Sequence, residues 1–151
     1  MAQAYYSTVF EHPAERVWAV IRDFGNYTVW VDGVEEAEIE DGRPGDAVGA
    51  IRRVSMGGVR IRQRLLAHSD IDRSSSYEFC EPLRFPTLGD YRATLRVTPV
   101  VDGDRSFVEW SATFDCRPDE LERWKTYFVE SFATWLASLR THLTVERQRR
   151  R

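Results

Sequence analysis

Between residues 121 and 143 the large apolar side chains fall at Leu121, Trp124, Phe128, Phe132, Trp135, Leu139 and Leu143, at gaps of 3, 4, 4, 3, 4 and 4. An α-helix places such a series along one line, because residues three and four apart share a face. The line is rich in aromatic rings, so the helix needs a broad apolar partner surface. Pro118 marks its start, since a proline in the first turn forfeits no hydrogen bond. Asp119, Glu120 and Glu122 suit the positive end of the helix dipole.

The partner surface is read from a second period. Residues 59–68 set Val59, Ile61, Gln63 and Leu65 against Arg60, Arg62 and Arg64. Residues 90–98 set Tyr91, Ala93, Leu95 and Val97 against Arg92, Thr94, Arg96 and Thr98. Residues 106–115 set Val108, Trp110, Ala112 and Phe114 against Glu109, Ser111, Thr113 and Asp115. Clean alternation predicts antiparallel strands with one covered and one wet face.

Further strands are expected over residues 4–10, 34–40, 46–54 and 75–81. Gly57-Gly58 makes a tight hairpin, because both turn positions of a type I′ turn need positive φ. Asp102-Gly103-Asp104 makes another turn, and Pro82 and Pro86 mark a longer loop. After the first strand, Pro13 opens a helix with Val17, Trp18, Val20, Ile21 and Phe24 on its apolar face, and Gly25 is placed to end it. Residues 26–31 form a second short helix carrying Tyr27 and Trp30.

The order is strand, two helices, six strands, long helix. That predicts an α+β fold in which a seven-stranded, curved antiparallel sheet wraps the last helix. The expected division is one domain over residues 1–146 and a frayed basic tail over 147–151.

Composition removes other classes. A length of 151 residues is one domain's worth. A net charge of −3 argues against a nonspecific grip on nucleic acid, and the run Arg60, Arg62, Arg64 belongs to the wet face. There is no run of 18 apolar residues for a membrane span, nor a basic stretch leading into an apolar one at the N-terminus, so no membrane insertion and a cytoplasmic location are expected. Cys80 and Cys116 should be unpaired thiols, with the Tyr91 strand between theirs. His12, His68 and His142 lack metal-ligand spacing, and no glycine run matches a phosphate-binding fingerprint. Neither a metal nor a cofactor is called for. Lys125 is the one lysine and lies on the amphipathic helix, which excludes an internal Schiff base.

Four stretches carry a resemblance. Leu88-Gly89-Asp90-Tyr91-Arg92-Ala93-Thr94-Leu95-Arg96-Val97 is similar to a strand of polyketide cyclase/dehydrase-like proteins. So are His12-Pro13-Ala14-Glu15-Arg16-Val17-Trp18, the Trp30 to Gly33-Val34 stretch, and Val108-Glu109-Trp110-Ser111-Ala112-Thr113-Phe114. In order and spacing they resemble the START/pollen-allergen (SRPBCC) superfamily with its helix-grip fold, over residues 4–143. The resemblance implies a cavity between sheet and helix for a small hydrophobic molecule such as a lipid, polyketide or hormone. It does not imply catalysis, since members include carriers, receptors and cyclases.

Alternation names the side chains that face the helix. Expected ligand contacts are Arg52, Ile61, Gln63, Tyr77, Phe79, Tyr91, Ala93, Trp110, Ala112 and, from the helix, Phe128. Ala50, Val54, Val59, Leu65, Leu95 and a marginal Glu81 share that face, with Val108 and Phe114 read as core filling. In plant hormone receptors of the superfamily a polar side chain at the Gln63 position and a tyrosine at the Tyr91 position orient the ligand. Relatives often carry glutamate where Gln63 stands, so the neutral amide here weakens a general-base role. Arg52 is expected to pair with a carboxylate or to face a wet cavity, unless a strand bulge displaces it to the surface. By the same resemblance the entrance lies between the Gly57-Gly58 hairpin and the loop over residues 82–88, rimmed by Met56, Leu83, Phe85 and Leu88.

The expected function is a carrier or sensor that binds a small hydrophobic molecule. The alternative is a cyclase or dehydratase acting on a carbonyl substrate, for which no catalytic residue is assigned because the lining lacks an evident base. Oligomeric state stays open.

Overall fold

A computed structural model describes residues 1–81, 83 and 85–150. In chain order the elements are β1 (Ala2–Phe10), α1 (Ala14–Ile21), α2 (Tyr27–Trp30), β2 (Val34–Ile39), β3 (Ile51–Met56), β4 (Val59–Ser69), β5 (Ser74–Phe79), β6 (Gly89–Val100), β7 (Arg105–Asp115) and α3 (Leu121–Arg149). The seven strands form one antiparallel sheet in the order β1-β7-β6-β5-β4-β3-β2. β1 and β2 are its two edges, so α1 and α2 carry the chain from one edge to the other. The arrangement is the expected helix-grip fold. No helix among the described residues is long and apolar enough to cross a membrane.

The β3–β4 hairpin turns at Gly57 and Gly58 with φ of 58° and 77°, between the paired Met56 and Val59. Register shifts in β2, β4 and β6 interrupt the ladder. Such bulges add local twist and bend, which lets the sheet curl. On its outer face Arg53 pairs with Glu38 at 2.7 Å, Arg62 with Glu40 at 2.8 Å and Arg64 with Glu78 at 3.3 Å. Exposed pairs of this kind add little stability each, but they keep that face in water.

Several boundaries differ from expectation. β3 begins at Ile51, not at residue 46, because Gly49 takes φ of 93° and breaks the extended run. Gly25 does not cap α1, which ends at Ile21 with Arg22 still helical. Gly25 is small for a different reason: a Cβ there would sit 3.1 Å from the Ile39 side chain. Pro118–Glu120 is a 3-10 turn leading into α3. α3 then runs on to Arg149, so residues 147–149 are helical rather than frayed. Its buried face holds Trp124, Phe128, Phe132, Leu136, Leu139 and Leu143, while Leu121 and Trp135 are only half-buried. Cys80 and Cys116 are both free.

The bulge between Leu65 and Ala67 in β4 reverses the inward parity, so His68 turns its ring onto Trp18, with centroids 5.4 Å apart. Around it lies an ion-pair knot. Asp70 accepts from Trp18 Nε1 at 2.8 Å and from Arg22 Nε and Nη2 at 3.0 Å each, and His68 Nε2 lies 3.1 Å away. Asp46 also accepts from Arg22, at 3.3 Å. Asp46, His68 and Asp70 thus converge closely enough to hold a cation; the Arg22 guanidinium engages both carboxylates.

These donors, Arg22 first, hold the Asp70 carboxyl far below its ordinary value of 3.8. A carboxyl whose pKa is depressed on folding stabilises the fold above its unfolded pKa and loses that contribution as pH falls toward the folded one. The destabilisation by Asp70→Asn should therefore be full at neutral pH and shrink below about pH 4. Urea midpoints of both proteins across that range check this; a difference that stays constant into acid would contradict it.

Candidate ligand cavity

A cavity of about 300 Å³ lies between the inner face of the sheet and the helices. β3 contributes Val54 and Met56, β4 contributes Val59, Ile61 and Gln63, β5 contributes Tyr77 and Phe79, and β6 contributes Tyr91. Tyr27 of α2, the following Val31, and Tyr127, Phe128 and Trp135 of α3 close the other side. Below it α3 packs tightly: Phe132 stacks on Trp110 with centroids 4.8 Å apart and planes 9° from parallel. The curl of the sheet leaves the gap at the end where α3 begins, and a mostly apolar lining with few polar groups is the usual make-up of a small-molecule site.

Phe85 lies at the mouth. Its ring centroid is 5.0 Å from that of Trp124, 5.5 Å from Tyr127 and 6.0 Å from Phe79. Gly57 of the hairpin and Met56 border the cavity from the opposite side. Of the expected entrance residues, Leu83 and Leu88 do not reach it. They line an adjoining, more polar recess with Glu81, Asp90 and Arg92, which shares the Phe79, Phe85 and Tyr91 walls. The parts of the expected entrance loop at Pro82 and Arg84 lie outside the described residues.

The polar end is organised by Arg52, which is 2% exposed. Its Nε donates to Gln63 Oε1 at 2.7 Å, one Nη to the Phe24 carbonyl at 3.2 Å and the other to the Tyr27 hydroxyl at 2.8 Å. The guanidinium also lies over the rings of Tyr27 and Phe24, at 3.7 and 3.9 Å from their centroids. Cation–π contact and neutral oxygens satisfy it where a carboxylate was expected. Among the described residues no carboxylate pairs with it, and it does not border the cavity. Burial is possible because its hydrogen bonds are met.

Two further tyrosines complete this end. Tyr77 accepts from Trp110 Nε1 at 3.3 Å. Burial pushes the Tyr77 phenol well above the ordinary tyrosine value. Tyr91 is raised as well, first by burial. Both remain hydroxyl donors at neutral pH.

Of the side chains expected to touch ligand, Ile61, Gln63, Tyr77, Phe79, Tyr91 and Phe128 border the cavity. Ala93, Trp110 and Ala112 face the same way but are sealed in the core, at 0%, 0% and 1% exposure. Glu81 is exposed. Sequence reasoning missed Tyr27, Val31 and Tyr127 at the cavity, and read Trp135 only as part of the packing stripe. No periodicity marks Tyr27 or Val31, whereas Tyr127 adjoins the stripe.

The chain thus folds as a curled sheet gripping a helix over an apolar cavity. Residues 1–144 match the family described as polyketide cyclase / dehydrase and lipid transport, and the chain belongs to it. No curated protein matches. Among solved structures, a protein of Nitrosospira multiformis is 28% identical, with a TM-score of 0.78 over 97% of this chain and 99% of that one. One from Thermobifida fusca is 27% identical, with a TM-score of 0.82 over 93% of this chain and 91% of its own. The di-domain ARO/CYC BexL from the BE-7585A biosynthetic pathway shares the fold at 14% identity, with a TM-score of 0.80 over 95% of this chain and 47% of that chain.

Proposed function

We propose that the protein binds a small, largely apolar molecule in this cavity, as a carrier or sensor. The observation that supports this reading is the cavity's composition: aromatic and aliphatic walls around one polar end. Enolisation or dehydration needs a positioned base of suitable pKa. Among the described residues that line the cavity there is no carboxylate and no imidazole. That favours binding over the cyclase or dehydratase reading, in which Tyr91 would act as the acid.

Titration with the neutral fluorophore N-phenyl-1-naphthylamine tests the reading, and saturable one-to-one binding is expected. The absence of saturable binding by this or any other apolar probe would overturn it. Tyr91→Phe removes one hydroxyl and almost no volume. It should weaken a carbonyl-bearing ligand by about 0.5–1.5 kcal/mol and leave the melting temperature nearly unchanged. If Tyr91 were a catalytic acid, the same variant would keep its binding and lose turnover, which calorimetry beside a cyclisation assay distinguishes.

A further inference from the structure

We propose that the cavity holds its ligand by an anionic oxygen, because its polar end is built as a set of hydrogen-bond donors backed by the buried Arg52 guanidinium. The inference rests on the binding role proposed above and concerns the chemistry of the molecule bound.

Gln63 and Tyr27 both border the cavity, and both accept from Arg52 through their oxygens. Each oxygen spends one lone pair on Arg52, which leaves Gln63 both amide N–H groups and Tyr27 its hydroxyl proton to donate. The bond from Arg52 Nε also fixes which way the Gln63 amide is turned. A second relay runs in the same sense. Trp110 Nε1 donates to the Tyr77 hydroxyl, which borders the cavity and keeps its own proton to donate there. In the same layer Trp30 Nε1 is buried and finds no acceptor among the described residues. Its ring meets Tyr27 edge-on, with centroids 5.3 Å apart. The donors left at this end are the Gln63 amide and the hydroxyls of Tyr27 and Tyr77, with the Arg52 cation behind them.

Charge acts in the same direction. Arg52 is a full positive charge with no carboxylate partner among the described residues, held where the low dielectric strengthens its field. The rings of Tyr27, Phe24 and Tyr77 lie 3.7, 3.9 and 4.8 Å from it, and burial keeps the Tyr77 and Tyr91 phenols protonated. A ligand carbonyl would use part of this arrangement. A phenolate, enolate or carboxylate oxygen uses all of it, since it accepts several donors at once and supplies the missing negative charge. Apolar walls then select a hydrophobic weak acid bound as its anion.

The test uses two pairs, each an acid beside its non-ionisable partner: para-nitrophenol with para-nitroanisole, and octanoic acid with methyl octanoate. At a pH where the acid is ionised, at least one acid should bind about tenfold or more tighter than its partner. The absorbance of bound para-nitrophenol should titrate about one pH unit or more below its value in water, the same preference seen as linkage. A preference confined to one pair supports the proposal and identifies the oxygen as phenolate or carboxylate. Equal binding within both pairs, with the bound phenol titrating as in water, overturns it while leaving the binding role intact. Failure of these four and of N-phenyl-1-naphthylamine to bind overturns both.

Gln63→Glu is isosteric and places a carboxylate against Arg52, so it should bring the acid-to-partner ratio to one or below. Tyr27→Phe removes a single proton donor and should cut the ratio several-fold, and it serves if the glutamate variant fails to fold. An undiminished ratio in a folded Gln63→Glu protein would also overturn the proposal.

Discussion

Replacing Phe132 by alanine will cost about 3–5 kcal/mol of stability, the range for deleting a fully buried aromatic side chain. Phe132 is 0% exposed and lies at the middle of the α3 stripe. It stacks on Trp110, itself 0% exposed, and its ring also meets those of Phe128 at 6.1 Å and Trp135 at 6.2 Å. These neighbours belong to a sheet and a helix that close only partly onto the lost ring, so the cost of a void adds to the lost burial. In a domain of this size each kcal/mol moves the melting temperature by roughly 2–4 °C, so a fall of about 6–20 °C is expected. Tyr127→Ala is the comparison, because that side chain stands 41% exposed at the cavity mouth. Its stability change should stay below about 1 kcal/mol. Urea unfolding with an unchanged slope would assign the difference to the native state. A Phe132→Ala protein as stable as the parent would mean that α3 does not pack here.

Phe132 was legible because one period decides it. A 3.6-residue repeat names a helix face, and a two-residue repeat names a sheet face. Both survive in this chain with few interruptions, which is why the seven strands and α3 could be read. Interruptions mark where reading stopped. Leu65, Leu66 and Ala67 are all apolar, so nothing in their identity shows that a bulge sits among them and turns His68 inward. Gly25 looked like a helix cap, yet its smallness serves Ile39, a contact that only the tertiary fold creates.

The site was legible to the level of a face and no further. Alternation pointed Arg52, Ile61, Gln63 and Tyr91 inward, as it did Ala93, Trp110 and Ala112. It carries no information on depth along the strand. Whether an inward side chain meets the cavity or the core depends on where α3 lies, and Phe132 fills the space beside Trp110. The partners of Arg52 were out of reach for another reason. The Phe24 carbonyl and the Tyr27 hydroxyl lie 28 and 25 residues before it, in a connection without strong periodicity. A buried arginine called for an acceptor, but a carboxylate was only one way to supply it.

The cavity itself can be closed by design. Val54 and Ile61 are directly opposed across β3 and β4, and both border the cavity. Changing both to phenylalanine sets two rings side by side on one face, as cross-strand partners do. Extra volume in a packed core costs about 1–3 kcal/mol, because neighbours must leave their rotamers. Here the added atoms enter space that no side chain occupies, and phenylalanine brings no polar group that needs a partner. Stability should therefore stay within about 1 kcal/mol of the parent. Two rings in a cavity of about 300 Å³ leave no room for a ligand of useful size. Affinity for N-phenyl-1-naphthylamine should fall about a hundredfold or more, equal to about 2.7 kcal/mol. Phe132→Ala and this double variant thus separate two properties of the interface between sheet and helix, the first lowering stability and the second lowering binding alone. If the double variant unfolds as an overpacked core would, the cavity is shut in solution and the binding site lies elsewhere. If it stays folded and binds the probe as tightly as the parent, the ligand does not enter between sheet and helix at all.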